Sequence, residues 1–320
     1  MSRTLLLTGG TGYLGGRIAK ALSLSGWNVR LAFHPRSNKP PEWALEHELV
    51  PLDLCSQDGL VEACAGVTAI VHLAALNEIE SLADPKLATL VNTVGTMMIL
   101  HAAESAGVER FIFLSTAHVY GAPLAGVITE KSIPRPVHPY AISKRSAEDH
   151  VLAAHDRGAF AGVVLRLSNA FGWPTDPDIR RWTLIVNDLC RQAVVHQRLT
   201  LRSTGLQRRD FITITDVCRA LEHLLTLQSD RLGDGLFNLG GENPMRIIDI
   251  AELVATRSAK VLGFQPEIVR PEAGPCETPL DIQYRIDKLK ATGFELRGNP
   301  AFEIDSTLQL CESVFRGPHP

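Results

Sequence analysis

Through the first half of the chain, short apolar runs alternate with stretches whose apolar residues recur every three or four positions. Leu5-Leu6-Leu7, Val29 to Phe33, Ala69 to Leu73, Phe111 to Leu114 and Gly162 to Leu167 read as buried strands. Between the first two runs, Leu14, Ile18, Ala21 and Leu22 fall on one helical face, and Gly26 closes that helix. Val91 to Ala106 carries another helical pattern. Alternation of this kind predicts an α/β fold, a doubly wound parallel sheet with helices on both faces. Ligands of such sheets bind beyond the carboxyl ends of the strands.

After Gly172 the pattern changes. Trp173-Pro174-Thr175-Asp176-Pro177 is a break, followed by an amphipathic segment from Leu184 to Ala193 and a short strand at Leu199-Thr200-Leu201. Phe211 to Ile214, a helix from Asp216 to Leu227 and the run Gly235 to Leu239 read as a return to the sheet. A helix near Ile247 to Thr256, a Pro-rich stretch from Pro266 to Pro279 and short elements complete the chain. The predicted division is a large domain from 1–172 with 209–240, and a smaller, discontinuous C-terminal lobe from 173–208 with 241–320.

Composition narrows the function classes. With 320 residues, 45% of them hydrophobic, the chain can bury a sizeable core. A formal net charge of −3 gives no bulk attraction to nucleic acid or to an acidic membrane. The six cysteines are scattered, with no CxxC pair and no histidine at zinc spacing, so reduced thiols and no metal are expected. No apolar stretch reaches the ~18 residues of a membrane span. A single Arg3 before a short apolar run is no signal peptide, and a cytoplasmic protein is expected.

Two motifs carry chemistry. Thr8-Gly9-Gly10-Thr11-Gly12-Tyr13-Leu14-Gly15 lies between the first strand and the first helix. Glycines there let a backbone turn approach a pyrophosphate at a helix start. Gly9, Thr11, Gly12, Tyr13, Leu14 and Gly15 are therefore candidate dinucleotide-binding residues. An acid after the second strand would hydrogen-bond a free 2′-hydroxyl and repel a 2′-phosphate. Phe33-His34-Pro35-Arg36-Ser37-Asn38-Lys39 offers none, and His34 and Arg36 suit a phosphate. NADP is favoured, with NAD as the alternative.

The second motif is Tyr140-Ala141-Ile142-Ser143-Lys144. A free phenol titrates near 10 and is a poor acid–base catalyst at neutral pH. A lysine ammonium one helical turn away favours the phenolate and brings the group toward the working range. The hydroxyl of Thr116, in Leu114-Ser115-Thr116-Ala117-His118-Val119-Tyr120-Gly121, can share the same substrate oxygen. A dinucleotide beside a tuned proton donor means hydride transfer.

Together these stretches resemble the nucleotide-sugar epimerase/dehydratase family of extended short-chain dehydrogenases/reductases. Further matches are His72-Leu73-Ala74-Ala75, Asn92 to Thr96, Leu165 to Gly172 and Arg209-Asp210-Phe211-Ile212. The resemblance implies a Rossmann-type sheet with Thr116, Tyr140 and Lys144 as catalytic triad. It implies cofactor contacts at Asp53 and Leu54, at Leu73, Ala74 and Ala75, and at Asn92. Asn169 and Arg209 would face the substrate, with the forked donors of Arg209 on a diphosphate. It also implies a homodimer through helices flanking the sheet, with Val94, Met97, Met98 and Leu100 either as anchors or simply covering the sheet.

Two departures from the family pattern matter. Its dehydratases place an Asp-Glu pair just after the catalytic Thr, where this chain has Ala117-His118, which argues against 4,6-dehydration. His118 reads either as an acid–base group facing the sugar or as a hydrogen-bonded wall residue. The stretch from Pro271 to Pro279 lacks the arginine of the family's nucleotide clamp, and Arg270 is its candidate replacement. The implied reaction is NAD(P)-dependent chemistry at C4 of a nucleotide-diphosphate sugar, as a 4-keto reductase or a 4-epimerase. Two other readings stay open at this point: an NADPH-dependent reductase of a small hydrophobic ketone, and a non-catalytic dinucleotide sensor.

Overall fold

The computed structural model describes residues 3–35, 39–179, 181–274 and 277–316. Seven strands form the main sheet: β1 (Arg3–Thr8), β2 (Trp27–Phe33), β3 (Glu48–Pro51), β4 (Ala69–His72), β5 (Arg110–Thr116), β7 (Ala161–Leu167) and β11 (Leu236–Leu239). Their order is β11-β7-β5-β4-β1-β2-β3, and every pair is parallel. The chain runs outward from β1 to β3, then returns to β4 on the other side of β1. That reversal opens a crevice at the carboxyl ends of β1 and β4.

Burial on both faces explains the unbroken apolar runs. Leu5 and Leu7 of β1 pack under α1 (Gly15–Leu24) and α8 (Ile214–Thr226) with Ile18, Leu22, Leu221 and Leu224. Leu6 points to the opposite core, beneath α5 (Gly95–Ser105) and α6 (Pro139–Asp156), with Ile99, Ala103, Ala147 and Val151. The same core takes α2 (Leu60–Cys64). Two short helices, α3 (Glu78–Ala83) and α4 (Pro85–Ala88), follow β4. The helical pattern from Val91 enters α5 through a π-helical turn over Thr89–Val94. β3, a partly exposed edge strand, has no apolar run to announce it.

Three further helices, α7 (Ile185–His196), α9 (Ile247–Val261) and α11 (Pro300–Phe315), enclose a separate core around Leu189, Val254, Ile304 and Leu308. Beside it lies a three-stranded sheet in which β10 (Arg208–Thr213) pairs with β8 (Asn169–Phe171) and β12 (Pro244–Arg246). Two parallel pairs, β6 (Gly126–Ile128) with β14 (Ile282–Tyr284) and β9 (Arg198–Thr200) with β13 (Glu267–Val269), and the short α10 (Asp287–Lys290) complete the fold. Among the described residues no helix is long and apolar enough to cross a membrane.

Two sequence expectations need correction. Phe211 to Ile214 do not rejoin the main sheet: the chain leaves it after Leu167, β10 aligns with β8, and only β11 enters beside β7. The C-terminal part is not confined to short elements, because α11 runs for 16 residues. Its start is signalled by Asn299, whose side chain accepts from the backbone of Ala301 and Phe302, and by Pro300 in the first turn.

Candidate functional site

A cleft of about 1040 Å³ opens at the carboxyl ends of the central strands. Its floor is the glycine turn. Gly9 has a left-handed φ of +66°, and a Cβ there would lie 2.7 Å from the backbone nitrogen of Ala74. A Cβ on Gly15 would overlap the carbonyl of Gly10, so α1 can begin directly on that turn only with glycine. The turn is closed by Gly12 N–H donating to Gly9 O at 2.9 Å and Gly15 N–H to Gly12 O at 3.1 Å. No acidic side chain occupies the first turn of α1, so its positive end faces the cleft uncompensated. This cradle fits a pyrophosphate.

Beneath the turn lies a buried relay. Thr96 Oγ1 donates to Asn92 O at 2.6 Å, so His72 Nε2–H donates to Thr96 and the His72 Nδ1 accepts from Thr8 Oγ1 at 2.6 Å. Thr8 Oγ1 in turn accepts the backbone N–H groups of Leu73 and Ala74 at 3.2 and 3.3 Å, which fixes the Leu73-Ala74-Ala75 wall against Gly9. Burial, with Lys144 adding to it, pushes His72 down to about 3 and keeps it neutral.

Most of the sequence candidates converge here. Gly9, Thr11, Gly12, Tyr13, Leu14, Gly15, His34, Asp53, Leu54, Leu73, Ala74 and Ala75 all line the cleft. The Tyr13 hydroxyl donates to Gly172 O at 2.8 Å, bolting the turn to the end of β8. His34 Nε2 stands 3.8 Å from Asp53 Oδ1. Arg36 lies outside the described residues. The buried amide of Asn92 accepts from Leu76 N at 2.7 Å and donates to Ser143 Oγ at 3.0 Å, pinning the loop after β4 to α6. Arg270 is exposed and donates to the Thr204 carbonyl.

Thr116, Tyr140 and Lys144 line the same cleft. Thr116 ends β5, and its Oγ1 accepts from His118 N at 3.3 Å. α6 begins at Pro139 behind His138, whose ring accepts from Tyr140 N, so the phenol sits in the first turn and the ammonium one turn later. The Lys144 Nζ lies 3.9 Å from the centre of the Phe113 ring. Burial lowers Lys144 to about 7, with Glu148 opposing. Tyr140 is pushed upward, first by burial and then by the charge of Glu78, against Arg181. The expected lowering of the phenol by Lys144 is therefore not what governs it in this structure.

His118, Asn169 and Arg209 complete the lining on the far side. Burial and the neighbouring Arg209 push His118 down against the pull of Glu78, leaving a neutral ring. Asn169 Nδ2 donates to Asp210 O at 2.9 Å, tying β8 to β10 at the cleft edge. Sequence reasoning missed two ion pairs. Glu78 and Arg181 meet across the cleft at 2.9 Å. The fully buried Glu148 accepts from Ser115 Oγ at 2.5 Å and from Arg166 Nε and Nη2 at 3.0 and 2.6 Å, locking α6 to β5 and β7. The Asn77-x-x-Glu80 capping box that opens α3 was a legible signal for the first pair.

A doubly wound sheet, a glycine cradle at the first helix and a Tyr–Lys pair facing it define a Rossmann-type dehydrogenase/reductase of the short-chain class. Residues 5–240 match the model of the NAD dependent epimerase/dehydratase family, and the chain belongs to that family. It is 28% identical over 308 residues to a dTDP-glucose 4,6-dehydratase of Streptomyces niveus, covering 89% of this chain and 85% of that protein. Identity to a UDP-glucose 4-epimerase of Rhizobium meliloti is 32% over 281 residues, covering 80% and 83% respectively. Among solved structures, MoeE5 in complex with UDP-glucose and NAD superposes with a TM-score of 0.78 at 25% identity, covering 98% of this chain and 99% of that one. The protein is thus an enzyme of the NAD-dependent nucleotide-sugar epimerase/dehydratase family, which sets the sensor reading aside.

Proposed function

We propose that this enzyme acts at C4 of a nucleotide-diphosphate hexose, as a 4-keto reductase or a 4-epimerase. The observation that carries the reading is a single continuous cleft lined by the glycine turn, by Thr116, Tyr140 and Lys144, and by Asn169 and Arg209. A bound nicotinamide dinucleotide would supply or accept the hydride. Tyr140 gives its phenolic proton to the C4 oxygen during reduction and takes it back during oxidation. The Thr116 hydroxyl donates to the same oxygen, and Lys144, lowered to about 7 by burial, can take up or release a proton one turn from the phenol. Arg209 grips the diphosphate with paired donors.

The reading favours NADP, because no acid follows β2 and His34 stands at its end; Asp53 beside His34 keeps NAD as the alternative. We further propose the division into a dinucleotide domain and a substrate lobe predicted from the sequence, and a homodimer through α5 and α6. The buried thiols of Cys64, Cys190, Cys218 and Cys311 suit a cytoplasmic location. The deciding experiment supplies nucleotide-linked glucose, galactose and 4-keto sugars with either reduced or oxidised cofactor and identifies products by mass spectrometry and NMR. Stoichiometric consumption of NADPH marks a reductase, and C4 inversion without net consumption marks an epimerase. Tyr140→Phe should keep the fold and cofactor binding while turnover falls by on the order of 10²–10⁴. Near-normal turnover in that variant would remove Tyr140 from its role.

A further inference from the structure

The Glu78–Arg181 pair, which acts on the Tyr140 phenol, has no role toward the substrate in the reading above. Glu78 is the first residue of α3, and Arg181 lies in the loop that leaves β8 for α7. Arg181 Nη1 donates to Glu78 Oε2 at 2.9 Å, and Nη2 lies 3.5 Å from Oε1. The pair therefore joins the two sides of the cleft, and both residues line it beside Tyr140, Thr116 and His118. It differs from the Glu148–Arg166 pair, which is sealed in the framework. The Glu78 side chain keeps 42% of its surface exposed and that of Arg181 keeps 21%. These are wall groups that a ligand would touch.

Their electrostatic reach locates them within the cleft. Both charges act on the Tyr140 phenol, and His118 feels both Glu78 and Arg209. The pair thus stands by Tyr140, the proposed proton donor, with His118 between it and Arg209. Around Tyr140 the charges of Glu78 and Arg181 cancel and His118 is neutral, which leaves the buried Lys144, lowered to about 7, as the remaining cation. A second anion entering there would meet the Glu78 carboxylate, and Arg181 could serve it only by abandoning Glu78. Sugar hydroxyls face no such conflict, since they donate to the carboxylate and accept from the guanidinium.

We infer that Glu78, oriented by Arg181, selects an uncharged hexose over a hexuronic acid at the sugar end of the cleft. The inference rests on the nucleotide-sugar reading above and deepens it from a nucleotide sugar to a neutral one. The device is repulsive as much as attractive, because like charges brought together in a partly desolvated cleft discriminate strongly.

Calorimetric titration of the cofactor-loaded enzyme tests this, with glucose and glucuronate each supplied as UDP and dTDP derivatives and with UDP and dTDP alone as controls. Wild-type protein should bind the glucose form at least ~10-fold more tightly than the glucuronate form. Glu78→Gln should narrow that ratio by about tenfold, chiefly by gaining affinity for glucuronate, with affinity for the free diphosphate unchanged. Equal binding of the two sugars by wild type, or a ratio that Glu78→Gln leaves in place, overturns the inference. A parallel loss of all ligands in Glu78→Gln also overturns it, because it assigns Glu78 to the fold. Failure of every nucleotide and nucleotide sugar to bind sinks the underlying reading, and this inference with it.

Discussion

At the scale of single residues, the site is governed by charges that sequence spacing does not display. Tyr140 is raised by burial and by Glu78, so removing that negative charge makes the phenolate less unfavourable and lowers the phenol's pKa. Glu78→Gln should therefore move the limb of the pH profile of kcat/KM that reports the phenol toward lower pH. A shift toward higher pH would mean that Glu78 does not act on Tyr140 as an unscreened charge. Arg209→Lys should raise KM for the nucleotide sugar far more than it weakens cofactor binding, because an ammonium cannot reproduce two parallel bonds to a phosphate. Loss confined to the cofactor, measured on the same protein by titration, would assign Arg209 to the other ligand.

At the scale of elements, the decisive one is α6, which carries Tyr140 and Lys144 and is held by a carboxylate one turn further on. Glu148 links it to Ser115, the neighbour of Thr116, and to Arg166 of β7. This buried pair ties α6, with Tyr140 and Lys144, to the strand that ends in Thr116. Glu148→Leu alone should cost about 3–5 kcal/mol, since it strands the Arg166 guanidinium without its partner. Glu148→Leu with Arg166→Met should recover much of that stability, because an apolar pair of similar volume tolerates the same burial. Urea unfolding of the two variants decides it, and a double variant no more stable than the single one would count against the account. His34→Ala belongs to this scale as well, since it alters the end of β2: NADPH affinity should fall by about 1–3 kcal/mol and NADH affinity hardly change. Equal effects on both cofactors in a binding titration would favour NAD.

At the scale of the whole molecule, the relay under the glycine turn couples stability to pH. His72 sits at about 3 in the fold against 6.5 in an exposed chain. Between those values the unfolded chain binds a proton that the folded one refuses. The stabilisation is complete above pH 6.5 and is lost as pH falls toward 3, by up to ~1.4 kcal/mol per pH unit for this group. Urea midpoints should therefore drop below pH 6.5, and drop less steeply in His72→Asn; identical slopes would exclude His72 as the cause. The proposed dimer draws on Met97 of α5 and Ile142 of α6, which are 41% and 51% exposed. Leu100 cannot be an anchor, because it is buried at 4% in the core beneath the sheet. Light scattering that gives a monomer at micromolar concentration would end the dimer proposal.

Local and periodic features were legible in the chain alone. Leu5-Leu6-Leu7 and the other apolar runs became strands because a parallel sheet buried on both faces needs uninterrupted hydrophobicity. Gly9 and Gly15 were legible because left-handed backbone and close approach exclude a Cβ. The one-turn spacing of Tyr140 and Lys144 follows from helix geometry alone. Contacts between partners distant along the chain emerged only on folding. Glu78 meets Arg181 across 103 residues, and Tyr13 meets Gly172 across 159. The alignment of β10 with β8 rather than with the main sheet depends on where the chain leaves after Leu167, and no periodicity records that. Burial moves Lys144 down and Tyr140 up, because the cost of stripping water from a charge is set by everything packed around it. Asn92 shows the same limit from the other side: its motif was visible, but not the clamp it makes on the loop after β4.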